Sequence, residues 1–348
     1  MGKGTPHSPL KKQRDSQIEL LRIIAMSMIL IHHFVVHGSG YSLWNNGLGF
    51  QNSFIIYGVD LFILITGYYG INIRWKTFLA LTLTVVFFLS VEILALNCYG
   101  AVSGSHRGLS GIADLFRVFK NPYGQWWFVS CYITLFIFAP ILNLGLRAAS
   151  KSQLRGAALI CFVYAVYAGM TNDYVWGAGR GLSVFMLMYI IGWWIRVDKP
   201  FQNLSIIALV IIFIGCSIVN GMCWNLSGGL GKAYSFSYLN IFCLIGSISV
   251  FLIFTRLSFR NRIINSIATA SFGCYLLQEG IGSNIIYTIQ LDYCSNHSYE
   301  SSIVMFVVSF VALWVVSWVL TWFKNLWVPK LIDAIYRWLP QRFKQEVW

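Results

Sequence analysis

The feature that most limits this chain is a succession of long apolar runs with almost nothing between them. They can be drawn at about 18–37, 52–70, 75–97, 124–146, 154–170, 180–196, 204–222, 237–256, 265–288 and 302–323. A helix crossing the hydrocarbon core needs about 20 mostly apolar residues. About ten such spans consume most of the 348 residues and leave no length for a second globular unit. Charged residues make up 11% of the chain, against about 25% in soluble domains. Folded in water, the chain would expose apolar patches that soluble monomers rarely tolerate. The expected fold is therefore all-α, a polytopic transmembrane bundle of about ten helices.

Charge sets the direction of threading. Lys and Arg are retained on the cytoplasmic side of a membrane protein. With the N-terminus inside, nineteen of the 25 basic residues fall in inside segments and five outside, with Arg22 inside the first run. Both termini are then cytoplasmic. The loop with Arg107, Arg117 and Lys120 is the basic exception on the outer side. The net charge of +13 follows this topology. It carries no basic stripe or stacking module, so nucleic acid is not an expected partner. The division expected is a basic cytoplasmic tail at 1–17, a membrane domain at 18–323 and an amphipathic cytoplasmic tail at 324–348, lying on the membrane surface. The basic start and first apolar run resemble a signal peptide, but no small-x-small cleavage site follows, so the run reads as a retained helix. The eight cysteines form no CxxC pair, so metal and redox spacings are absent. Cys98, Cys223 and Cys294 fall near outer loops, which leaves a disulfide open.

Ionisable side chains inside a membrane span are costly and mark function by default. Here they are Arg22, His32, His33, His37, Asp60, Glu92 and Glu279. Arg22 and His33 are eleven residues apart. That is three helical turns plus about 20°, so both occupy one face, separated by about 16 Å along the axis. His37 shares the face and His32 points about 100° away. The threading puts Asp60 about 12 Å, Glu92 about 7 Å and Glu279 about 13 Å below the outer surface. His33 and these acids are expected to line one cavity that opens outward. A neutral imidazole there takes a proton from a hydroxyl, a carboxylate fixes its tautomer, and a guanidinium holds an anionic donor. The bland alternative is that these groups pair to hold helices together.

Four motifs in order carry a resemblance. They are Glu19-Leu20-Leu21-Arg22 through Ile31-His32-His33; Gly58-Val59-Asp60-Leu61-Phe62 with Thr66-Gly67-Tyr68; Gln125-Trp126-Trp127-Phe128 with Tyr132 and Pro140-Ile141-Leu142-Asn143; and Ser271-Phe272-Gly273-Cys274-Tyr275-Leu276-Leu277. The chain resembles the membrane acyltransferase 3 family over about 17–323. That resemblance implies transfer of an acyl group, usually acetyl from acetyl-CoA as co-substrate, to an extracytoplasmic or lipid-linked carbohydrate, by a multi-pass protein of the plasma (inner) membrane with no bound cofactor or metal. It implies His33 as base and Arg22 as the essential arginine, with Asp60 or Glu279 as orienter. Arg74 and Lys76 loosely match a basic pair and become candidate contacts to the CoA phosphates, though as positive-inside residues they are equally ordinary. Glu92, Tyr275 and Asn143 are further candidates for substrate contact. Tyr132 stands where many members carry Glu, and Gln278-Glu279 where many carry His. Trp126 and Trp127 are candidate sugar-stacking residues at the outer mouth, ahead of Tyr41, Trp44 and Trp176. Most other aromatics fit the interfacial belt. A transporter or flippase of glycans or small anions, and a polysaccharide polymerase subunit, remain the competing readings.

Overall fold

The computed structural model describes residues 14–38, 48–72, 74–103, 126–171, 179–226 and 234–338. Tyr41, Trp44, Trp176 and the basic loop through Arg107, Arg117 and Lys120 lie outside them. Every regular element among the described residues is helical. In chain order these are α1 (Ser16–His33), which continues as a π-helical turn (Phe34–Gly38), α2 (Leu48–Asn52), α3 (Gly58–Tyr69), α4 (Trp75–Ser103), α5 (Trp127–Ala148), α6 (Lys151–Thr171) and α7 (Leu182–Asp198). Then come α8 (Ile206–Leu226), α9 (Ile241–Arg256), α10 (Arg262–Ala268), α11 (Ser271–Gln278), α12 (Ser283–Asn296) and α13 (Tyr299–Trp338). Six of them are long and apolar enough to cross a membrane: α1 with its π turn, α4, α5, α6, α8 and α13. The all-helical membrane bundle expected from the sequence is what forms.

The middle of the bundle is α3. Its twelve residues span about 18 Å, short of the roughly 30 Å of a bilayer core. A turn at 53–57 and α2 extend the polypeptide to the outer end. α3 packs against α1, α7 and α9. Close approach needs small residues, and two glycines supply it. A Cβ on Gly192 of α7 would meet the backbone of Tyr68 and the carbonyl of Leu64. One on Gly67 would meet the backbone of Tyr189 in return.

The segments assigned to the cytoplasm gather at one end. Asn261 donates its N–H to Ser16 Oγ at 2.9 Å, and Tyr69 donates to Asp15 at 2.6 Å. Arg196 reaches the Tyr69 carbonyl at 3.1 Å and Arg256 the Phe201 carbonyl at 2.7 Å. Arg155 pairs with Asp198 and Lys76 with Asp333. His33 lies at the other end of α1, about 26 Å from Ser16. It keeps company there with segments assigned outside.

Besides the run at 52–70, which is broken before α3, two runs differ from their expected form. The run at 265–288 is three short helices, α10, α11 and the start of α12, rather than one span. Non-helical backbone survives at membrane depth only when its polar groups are satisfied inside the protein. At the first break Ser317 Oγ donates to the Ala270 carbonyl at 2.8 Å. At the second, the Glu92 carboxylate accepts the Ile281 N–H at 2.9 Å and fills the space where a Cβ on Gly280 would stand. The last run does not hand over to a separate surface helix: α13 continues unbroken from Tyr299 to Trp338, through Pro329. The eight cysteines are thiols, so the disulfide left open among Cys98, Cys223 and Cys294 is not formed among the described residues.

Candidate functional site

The break after α11 brings chemistry to α1. His33 is buried, and its Nδ1 lies 3.1 Å from Glu279 Oε1 and 3.2 Å from Gln278 Oε1. The orientation of the Gln278 amide follows from its other end, where Nε2 donates to the Leu30 carbonyl at 3.0 Å. Both atoms facing Nδ1 are therefore acceptors, so Nδ1 carries the proton and Nε2 keeps its lone pair. Tyr287 donates its hydroxyl to the same Glu279 oxygen. The His37 ring lies 6.0 Å from that of His33 and 5.3 Å from that of Tyr287. This arrangement holds an imidazole in the base tautomer with a carboxylate behind it, the same logic as a nucleophile-activating pair.

His32 faces elsewhere, as the helical angle requires. Its Nδ1 pairs with Asn52 Oδ1, and its ring lies 6.0 Å from that of Phe236. Arg180, exposed just before α7, is a cation near enough to act on His32, His33, His37 and Glu279.

Below this cluster lies a cavity of about 470 Å³. It follows the Arg22 face of α1 through Met26 to Ile29, one turn short of His33. Arg14, Arg22 and Lys324 make its mouth basic, and Phe128, Tyr132 and Tyr275 form its inner wall. Arg22 is held by Glu19 Oε1 at 2.9 Å. The Tyr275 hydroxyl is buried with no hydrogen-bond partner among the described residues. Tyr275 is a helical turn from Gln278 and Glu279, so α11 joins this cavity to the His33 cluster.

The other residues singled out in the sequence are distributed more widely. Asp60 is fully buried against α9, with Oδ2 3.4 Å from both Cys243 Sγ and Ser247 Oγ. The structure does not bring it to His33. Glu92 serves the Gly280–Ile281 turn. Asn143 holds the stretch before α4, donating to the Ile71 carbonyl at 2.8 Å and accepting from Tyr189 at 2.7 Å. Lys76 pairs with Asp333 and stacks over Tyr336, and the Arg74 carbonyl caps α4. Neither Lys76 nor Arg74 lines the cavity. Trp126, at a left-handed φ of 68°, is fully buried and donates to the Leu276 carbonyl at 3.3 Å, so its ring offers no face to a sugar. Trp127 stacks on Tyr238. Sequence reasoning did not single out Gln278, Tyr287, Arg14 and Lys324 as parts of a site. For Lys324 the cue is a basic residue within an apolar helix.

Fold and site together define a multi-pass membrane protein with a buried histidine–carboxylate pair above a cavity with a cationic mouth. The sequence model of the Acyltransferase domain matches residues 15–322. The chain belongs to that family, the membrane acyltransferase 3 family. No curated protein and no solved structure matches it significantly.

Proposed function

We propose that this chain moves an acetyl group from acetyl-CoA on the cytoplasmic side to a hydroxyl of a surface glycan on the other side of the plasma membrane. The observation that carries the reading is the single face of α1, with Arg22 at the basic mouth of the cavity and His33 above its inner end. Arg22, with Arg14 and Lys324, holds the phosphates of the donor, for which guanidinium is well suited. The acyl arm runs up the cavity along Met26, Ile29 and Tyr275.

His33 Nε2 takes the proton from the acceptor hydroxyl as its oxygen attacks the thioester carbonyl carbon. The C–S bond breaks, and the thiolate recovers the proton from the imidazolium. Glu279 stabilises that imidazolium, and Gln278 keeps the ring in place. The unpartnered Tyr275 hydroxyl donates to the carbonyl oxygen where negative charge grows.

A transporter has one observation in its favour, the discontinuous helix at α10–α12, since such breaks line transport sites. Purified protein given radiolabelled acetyl-CoA and a glycan extract separates the two. Label on the glycan in the wild type, absent in His33→Ala, is the expected result. Undiminished label in the variant ends the mechanism, and glycan binding with no label transfer favours the transporter.

A further inference from the structure

A second hollow lies on the same side of the bundle, nearer the outer end. It is a groove of about 640 Å³ between α4, α11–α12 and α13. The donor cavity meets α4 at Leu81 and α13 at Thr321 and Lys324, whereas the groove meets α4 from Val91 to Tyr99 and α13 from Met305 to Leu320. The two are thus stacked along the same helices. Between them α11 turns Tyr275 to the cavity and Gln278 to the groove.

We propose that this groove holds the hydrocarbon chain of a lipid-linked saccharide, the acceptor, which reaches His33 sideways from the bilayer. Its outer flank is apolar and exposed, with Ile289 at 55% and Val316 at 48%. The outward face of α13 is apolar and exposed at Val304, Val308, Val311 and Val315, as suits a helix against lipid. Along α13 the groove runs about 22 Å, more than the roughly 15 Å of one hydrocarbon leaflet. Over that length α13 offers one hydroxyl, Ser309, among Met305, Phe306, Phe310, Leu313 and Val316, so its wall suits an extended hydrocarbon chain better than a soluble glycan. The inner wall is different. It carries Gln278 and Tyr287, which hold His33 and Glu279, together with the side chain of Gln290. The groove is therefore continuous with the proposed catalytic pair, polar where the sugar sits and apolar where the chain leaves.

The inference rests on the acyl-transfer reading for its chemistry, but its test does not need turnover. Full-length protein in lipid nanodiscs is photolabelled with an alkyl glycoside that carries a diazirine in its chain. Crosslinks are expected at 91–99, 285–293 and 305–320. Excess unlabelled polyprenyl-linked saccharide should displace them, and phosphatidylglycerol should not. Ala95→Trp combined with Ala312→Trp, two groove positions remote from His33, should cut labelling about tenfold. Lys76→Gln, at a residue that lines neither hollow, should leave it unchanged. Uniform labelling of all lipid-facing helices, equal displacement by phosphatidylglycerol or by a long-chain acyl-CoA, or indifference to the tryptophans would each overturn the proposal. Groove labelling with this pattern in a protein that transfers no acetyl supports the groove and removes the reading of the reaction instead.

Discussion

At the scale of single residues, the His33 tautomer organises the rest. Two acceptor oxygens within 3.2 Å of Nδ1 leave Nε2 with the free lone pair that the proposed reaction needs, and that has unequal consequences for its partners. His33→Ala removes the base and should lower acetyl transfer by about 10²–10⁴-fold. Glu279→Gln leaves the Gln278 oxygen to receive Nδ1–H, so it should lose roughly tenfold through weaker stabilisation of the imidazolium. Gln278→Met combined with Glu279→Leu removes both acceptors and should fall to the level of His33→Ala, which rate measurements on protein checked for intact folding will decide. The donor end makes a second demand. Arg22→Gln should raise the KM for acetyl-CoA by about 10–100-fold, the loss of a charge-assisted phosphate contact. Lys76→Gln should leave it unchanged, since that lysine is paired with Asp333 outside the cavity. Equal effects from the two variants would move the donor phosphates away from Arg22.

The Arg22–His33 face was legible in the sequence because one helix carries both residues and the helical angle is constant. The choice of carboxylate was not. Asp60, Glu92 and Glu279 come out at similar depths, but depth is one coordinate, and the angle about the bundle axis decides contact. Asp60 lies toward α9 and Glu92 toward the α11–α12 turn. The partners Gln278 and Glu279 come from sequence 245 and 246 residues away, a distance that no local pattern spans.

At the scale of elements, the broken run at 265–288 matters most. Averaged hydropathy passes over Gly280 and Gly282, so three short helices read as one span. The geometry assigns Glu92 a structural task there: it satisfies the Ile281 N–H and occupies the Cβ space of Gly280. Glu92→Gln keeps an acceptor oxygen of the same reach and should retain both fold and activity. Glu92→Leu leaves the N–H unpaired in an apolar setting and should cost about 1–3 kcal/mol, seen as a lower melting temperature in detergent. Gly280→Ala pushes that carboxylate aside and should lower the melting temperature by no more than Glu92→Leu does. A well-folded but inactive Glu92→Gln protein would instead place Glu92 in the chemistry.

At the scale of the whole molecule, the two hollows define a path through the bilayer only if the basic end faces the cytoplasm. The structure collects Arg14, Arg22, Arg155, Arg196, Arg256 and Lys324 at one end, and the positive-inside rule places that end in the cytoplasm. Cys98, exposed near the end of α4, then lies outside, and Ser150, exposed in the turn between α5 and α6, lies inside. In a chain whose other cysteines are replaced, a membrane-impermeant maleimide should label Cys98 in intact cells. With Cys98 also replaced, Ser150→Cys should react only after permeabilisation. The reverse pattern would open the cavity with Arg22 at its mouth to the exterior, where there is no acetyl-CoA pool to fill it. The donor role of Arg22 and the order of the two hollows would then fall together, while the His33–Glu279 contact, which is independent of orientation, would stand.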